Sequence, residues 1–238
     1  LMSVLSPFFL VGLLLAATGE PAIEDLRVTV DGGQVLVGFH LANGLDPEII
    51  VNAGGEAIPF PDDHFDVLFS STALEHTENP ERVLDESLRV LKPGGCLHFV
   101  FPNYGSFFEG HYALPWIPYL PHWLGRPWVQ LWGRDPEFLG TLQFTNYFRT
   151  RRWIASRHDV DLVTMGEEIF AERMRTMSLK DWGGLGRVQR ALEVARRLRV
   201  VPLVTWLCLR TRSFDPIVLT LRKRAVAGGD FAKLAKEF

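Results

Sequence analysis

Cysteine, methionine and tyrosine are scarce in this 238-residue chain, which holds two, four and four of them. Cys96 and Cys208 each sit in an apolar run and read as core thiols rather than a disulfide or a metal pair. Net charge is scarce as well. Twenty-five basic against 28 acidic residues leave −3, so nothing global points to nucleic acid as a partner. The chain has no glycine-rich phosphate loop, no serine or cysteine nucleophile motif and no two histidines at metal-ligand spacing, so no metal is expected. Long apolar runs are missing too: Phe8 to Ala17 is short for a membrane span unless Leu1 to Pro7 belong to it.

That run opens what is present. LMSVLSPFFLVGLLLAATGEPA has the hydrophobic region and small-residue zone of a secretory signal, but no lysine or arginine precedes it. The missing basic region and initiator methionine point to a start upstream. Residues 1–22 read as a signal-like or membrane-anchor segment, with a buried helix as the alternative. Within residues 23–48, Leu26 to Val30 and Gln34 to Leu41 flank Asp31-Gly32-Gly33 and read as an antiparallel β-hairpin.

The densest pattern runs from Gly54 to Asn103. Phe65 to Ser70 is a short apolar run between Pro61-Asp62-Asp63 and Ser71-Thr72, the signature of a strand in a sheet covered on both faces. Asn79 can cap a helix with Pro80 in its first position and Glu81 near its positive end. Val83, Leu84, Leu88 and Leu91 share one face, and Lys92-Pro93-Gly94-Gly95 stops the helix with a lysine at the negative end. A strand from Cys96 to Phe101 follows, which completes a parallel, right-handed crossover. Ligands of such sheets bind outside the carboxyl ends of the strands, here Ser71 to His76 and Pro102 to Gly105.

Beyond Asn103 the chain is rich in aromatics and proline over 104–140, and the prolines forbid one long helix. Two readings stand open: a lid for a large apolar or sugar-bearing ligand, or packing of a small subdomain. Asp161 to Met165 and Pro216 to Arg222 read as strands, and Leu185 to Val200 as an amphipathic helix. Val201 to Leu209 is apolar enough to extend that helix into a core or a membrane interface. Arg187, Arg190, Arg196, Arg197 and Arg199 make this region basic, either as a solvated face or as a surface for anionic lipid or a phosphorylated substrate. Residues 225–238 read as a frayed tail.

The phrases PFPDDHFD, LEH and NPERVLDESLRVLKPGG, in this order and spacing, resemble the class I S-adenosylmethionine-dependent methyltransferases of the small-molecule, "type 11"-like kind. The resemblance spans roughly Ile49 to Arg224 and is strongest over Glu56 to Asn103. It implies an α/β fold: an incomplete Rossmann-like sheet over 49–224, preceded by the hydrophobic leader and the hairpin. It implies S-adenosylmethionine as cofactor, with Gly55, Glu56 and Ala57 beside the adenine and Ser71, Leu74 and Glu75 along the methionine end. His76 becomes the candidate base, and Asn103, Tyr104, His111 and Tyr112, with Glu109 nearby, face a small-molecule acceptor. Membrane association through Leu1–Ala17 or the basic C-terminal helix, and a homodimer along an exposed strand edge, are further expectations.

The chain departs from the family's pattern in two places. Val35 to His40 has one glycine and a Phe where the family has a G-x-G-x-G turn, and Gly54 stands where an Asp is usual. Residues 1–48 resemble, over a short stretch, the start of an uncharacterised bacterial envelope protein family. Two functions follow from this mixture. One is methyl transfer to a small, apolar or glycan-linked acceptor. The other is a catalytically silent remnant or chimera serving as an envelope-associated or interaction module. Location stays open between cytoplasm, membrane and envelope.

Overall fold

The computed structural model describes residues 53–176 and 186–225, together with the backbone of β1 (Gly12–Leu13), β2 (Ala22–Asp31) and β3 (Gln34–Ala42). The remainder of the leader, residues 43–52, Leu185 and the tail beyond Ala225 lie outside the described residues, as do the side chains of Arg187, Val188 and Leu192. There follow β4 (Phe65–Ser71), α1 (Pro80–Val90), β5 (Leu91–Phe101), β6 (Phe108–Glu109), β7 (Leu114–Pro115) and α2 (His122–Leu131). The chain ends with α3 (Tyr147–Ala155), β8 (Val160–Thr164), α4 (Glu167–Thr176), α5 (Gly186–Arg197), α6 (Val201–Arg210) and β9 (Ile217–Lys223).

The main sheet runs β1-β4-β5-β9-β8. β4 and β5 are parallel, joined through α1, while β9 lies antiparallel between β5 and β8 and β1 antiparallel on the other flank of β4. β2 and β3 pair with each other, Asp31 opposite Gln34, in a sheet of their own.

Burial along the strands corrects one expectation. Leu97, Phe99 and Phe101 of β5 and Ile217, Leu219 and Leu221 of β9 are buried in one core with Val83, Leu84 and Leu88 of α1 and Trp153 and Ile154 of α3. The alternate residues Cys96, His98, Val100 and Thr220 are only half-buried, and Phe69 is 43% exposed, stacked on His98 at 5.7 Å. The sheet is therefore closed on one face and half-open on the other. Successive side chains of a strand point to opposite faces, so an apolar run does not by itself show that both are covered.

Helix α1 begins as its sequence directs: the Asn79 side chain accepts the Arg82 N–H at 3.1 Å and Pro80 occupies the first turn. Arg89 pins the preceding loop by donating to the carbonyls of Ile58 (2.8 Å) and Phe60 (2.9 Å) and to Asp62 (2.7 Å). The lysine at its negative end is a different one. Lys92 pairs with Asp66, whereas Lys223, from β9, donates to the carbonyls of Leu88 (2.8 Å) and Leu91 (2.7 Å). Lys92 to Gly95 form a bulge, Phe65 facing Leu91 and Val67 facing Cys96. Glycine is required at its end, since a Cβ on Gly95 would come within 2.8 Å of the Lys92 carbonyl.

Residues 104–142 form a second small core of Tyr104, Leu114, Trp116, Leu120, Val129, Leu139 and Leu142. Its aromatics thus pack a subdomain, although Phe107, Trp123 and Phe138 remain exposed. The apolar stretch after α5 is no extension of that helix. The chain turns at Arg199 (φ +58°) and α6 starts anew, with Leu203, Trp206 and Leu207 exposed and Cys208 buried. Leu198, within the stretch expected to form the amphipathic helix, lies past the end of α5 and is 67% exposed. No described helix is long and apolar enough to cross a membrane.

Candidate functional site

The chain leaves β4 through Thr72, a β-branched residue held at φ +51° by its N–H bond to the Val100 carbonyl (2.7 Å). Such a conformation costs energy for a non-glycine residue and is seen preferentially near functional sites. A 3₁₀ turn over Leu74–His76 follows at once. It buries Leu74 and Glu75 and leaves the His76 side chain 25% exposed. The returning subdomain chain is tied to this turn by the Gln143 N–H, which donates to the Glu75 carbonyl at 2.7 Å.

From β5 the chain passes through Asn103 and Tyr104 into the hairpin β6–β7, which carries Glu109, His111 and Tyr112. His111 meets His76 edge to face, ring centroids 5.3 Å apart, and Phe138 closes a third side at 5.6 Å from His111 and 6.0 Å from His76. Glu75 Oε1 lies 3.7 Å from His76 Nε2 and 4.0 Å from His111 Nε2. The Nδ1 of His111 is 2.8 Å from Glu109 Oε1. Glu109, itself buried, also accepts the Tyr104 hydroxyl (3.3 Å) and the Tyr112 N–H (2.7 Å). The sequence offered no histidine pair at metal spacing; the fold makes one from two loops.

The electrostatics follow from burial. The Glu75 carboxyl is pushed up to about 7, chiefly because burial disfavours its charge. Burial, and then the charge of His111, lower the affinity of His76 for a proton. For His111, burial acts downward but is overcome by the hydrogen bond and charge of Glu109, and its pKa rises. Burial also raises Tyr104 and pushes Asp215 up to about 7. Asp215 is the participant that sequence reasoning missed, because nothing in the Phe214-Asp215-Pro216 string marks it as facing the end of β5.

The other expected site residues divide into two groups. Gly55 is buried against Val83, and Ala57 closes a turn on the Gly54 carbonyl (3.1 Å). Glu56 Oε1 accepts the N–H groups of Glu78 (2.9 Å) and Asn79 (3.3 Å), which joins this segment to the loop carrying His76. Ser71 is exposed at the end of β4. Asn103, Tyr104 and Tyr112 are committed to the fold itself. Asn103 is buried and donates to the carbonyls of Arg212 (3.0 Å) and Phe214 (2.6 Å), while its Oδ1 accepts the N–H groups of Gly105 (2.9 Å) and Tyr147 (3.4 Å). Tyr104 stacks on Phe144, and the Tyr112 hydroxyl accepts the Leu139 N–H at 3.0 Å.

Residues 28–99 match a family model described as a methyltransferase domain, a match that runs from within β2 into β5. An uncharacterized methyltransferase of Mycolicibacterium vanbaalenii is 41% identical over 76 residues, 31% of this chain and 30% of that protein. Another, of Mycobacterium avium, is 33% identical over 103 residues, 42% of this chain and 39% of that protein. The chain thus spans between 30% and 39% of the length of these curated relatives. A solved S-adenosylmethionine-dependent methyltransferase from Mesorhizobium loti is 14% identical with a TM-score of 0.41, covering 72% of this chain and 67% of that one.

Proposed function

We propose that this chain, a relative of the class I S-adenosylmethionine-dependent methyltransferases, transfers a methyl group to a small, apolar or glycan-linked acceptor. One observation carries the reading. The loop after β4 brings Glu75 and His76 against Glu109 and His111 of the aromatic subdomain that follows β5.

The donor is S-adenosylmethionine, which supplies a sulfonium-bound methyl group. Gly55, Glu56 and Ala57 on one side and Ser71, Leu74 and Glu75 on the other are the residues that would hold it. The donor set fits: a carboxylate can accept about four hydrogen bonds, so the capping of Glu78 and Asn79 leaves Glu56 capacity for hydroxyl or ammonium donors. Methyl transfer needs alignment and exclusion of water more than covalent help. A base matters when the acceptor is a hydroxyl, and His76, whose ring meets that of His111, would be the group to take that proton. The exposed rings of Phe107 and Phe138 support an acceptor with an apolar or sugar face.

The test is calorimetric titration of S-adenosylmethionine into the full chain, followed by an acceptor screen. Binding in the micromolar range, with turnover reduced about 10²- to 10⁴-fold in His76→Ala, is the expected result.

A second reading is favoured by the flank of β4. There the neighbour is β1, antiparallel through Gly12–Leu68 and Leu13–Val67, and not a second parallel strand. A silent, surface-associated module would present the exposed Leu203, Trp206 and Leu207 of α6 together with the exposed Arg190, Arg196 and Arg197 of α5 to anionic lipid. Folded protein that binds no S-adenosylmethionine but co-sediments with phosphatidylglycerol vesicles in a Trp206-dependent way would decide for this module.

A further inference from the structure

Glu75, His76 and His111 each offer one ligand atom, and the three atoms lie within 4.8 Å of one another. We propose that they form a binding site for a divalent transition-metal cation of the zinc or iron(II) class, with Glu109 as the carboxylate that orients His111. Two imidazoles and one carboxylate are a donor set that such ions accept, and neither a thiolate-seeking nor an all-oxygen ion matches it.

The arrangement around the ligands agrees with this assignment. Glu109 engages His111 at Nδ1 (2.8 Å), so Nε2 is the nitrogen turned toward Glu75. A metal-bound histidine commonly has its other ring nitrogen held by a carboxylate in this way. Glu75 is 1% exposed, and its Oε2 has no hydrogen-bond partner among the described residues. Within 4.0 Å, neither Glu75 nor Glu109 pairs with a lysine or arginine among the described residues; imidazoles are their only ionic partners. A buried carboxylate that faces only imidazoles among the described residues is incompletely neutralised, and a dication between the three ligands would supply the missing positive charge. The Glu75 separations of 3.7 and 4.0 Å, and a spread of up to 4.8 Å among the three ligand atoms, exceed the roughly 3.4 Å expected between ligands of a tetrahedral zinc ion, so loading draws the groups inward by a few tenths of an ångström to about 1.4 Å.

Three protein ligands leave a position open, as catalytic rather than structural sites do. Resting on the methyltransferase reading, that position would take the acceptor's oxygen; with the cation bound, His76 serves as its ligand, and the metal rather than a free imidazole would make the hydroxyl acidic. Its O–H proton then passes to solvent, an O–CH3 bond forms and the sulfonium C–S bond breaks, releasing the demethylated donor.

The test uses the full chain, stripped with chelator and titrated with cobalt(II) followed by visible absorption, then with zinc in competition. We expect one equivalent to bind with ligand-field bands and without a thiolate charge-transfer band, which clears Cys96 and Cys208. Glu75→Gln and His111→Ala should lose the bands, and Glu109→Gln should weaken binding about 10- to 100-fold. Folded wild-type protein that takes up no cation, or variants that bind as tightly as wild type, would overturn the proposal. Should circular dichroism show His111→Ala unfolded, His76→Ala and Glu109→Gln are read in the same way. S-adenosylmethionine binding is measured separately. Its retention without cation uptake sinks only the metal site, and the converse sinks only the methyltransferase reading.

Discussion

Asn103 and Asp215 lock the end of β5 to the start of β9: the Asn103 N–H donates to Asp215 Oδ1 at 2.6 Å. The Asn103 side chain continues the join by donating to the carbonyls of Arg212 and Phe214. The loop that ends the central strand is thereby held by the segment that begins its antiparallel neighbour.

Replacing Asn103 by Ala should therefore act on stability first. The variant leaves the Arg212 and Phe214 carbonyls and the Gly105 and Tyr147 N–H groups without their partner. At about 1 kcal/mol net per bond, and more for groups left buried, the loss is roughly 2–4 kcal/mol. Urea denaturation measures it. An unchanged midpoint would show that Asn103 serves a ligand and not the fold.

Gly105 is under a different constraint. A Cβ there would lie 2.4 Å from the Tyr119 ring and 2.9 Å from Asn103 Oδ1. The Tyr119 hydroxyl shares its one proton between the Arg212 (2.8 Å) and Thr211 (3.0 Å) carbonyls, so the ring is not free to withdraw. Gly105→Ala should cost about 1–3 kcal/mol through overpacking. Adding Tyr119→Ala should recover part of that loss in a double-mutant cycle, and strict additivity of the two would count against the clash.

Asp215 and Glu81 give opposite pH dependences. The folded Asp215 carboxyl is raised by burial from 3.8 to about 7. Its contribution to stability is fully present below the unfolded value and is lost as pH rises from about 4 through about 7. For Glu81, burial acts upward but the hydrogen bond from Arg149 prevails and lowers its pKa. Its contribution is present above the unfolded value and is lost as pH falls through the depressed one. Asp215→Asn keeps an oxygen for the Asn103 N–H, so its stability relative to wild type should grow as pH rises from about 4 to about 8. Melting temperatures of the two proteins across that range test the claim; a constant difference would refute it.

The elements built from local signals are legible in the sequence. Asn79 and Pro80, with the spacing of Val83, Leu84 and Leu88, mark α1, and the apolar runs mark β4, β5 and β9 to within a residue or a bulge. The recognisable string from Glu56 to Asn103 likewise placed candidate residues at the carboxyl ends of the strands. Less legible was how far each strand's second face is covered, because an apolar run reads alike in a one-sided and a two-sided sheet.

The sequence by itself determined where β4, α1, β5, β8 and β9 begin and end, to within a residue or a bulge, since caps, periodicity and turn residues act over a few neighbours. Only the tertiary structure decided what the polar residues do. It turned Asn103, Tyr104 and Tyr112 from candidate ligand contacts into fold bonds. It replaced Lys92 with Lys223 at the end of α1, and it set Glu75 and His76 against Glu109 and His111. Those contacts depend on the register of β4, β5 and β9 and on how two loops return over them. A carboxylate and an imidazole meet across a few ångströms of space whatever their distance along the chain, and no local pattern encodes that meeting.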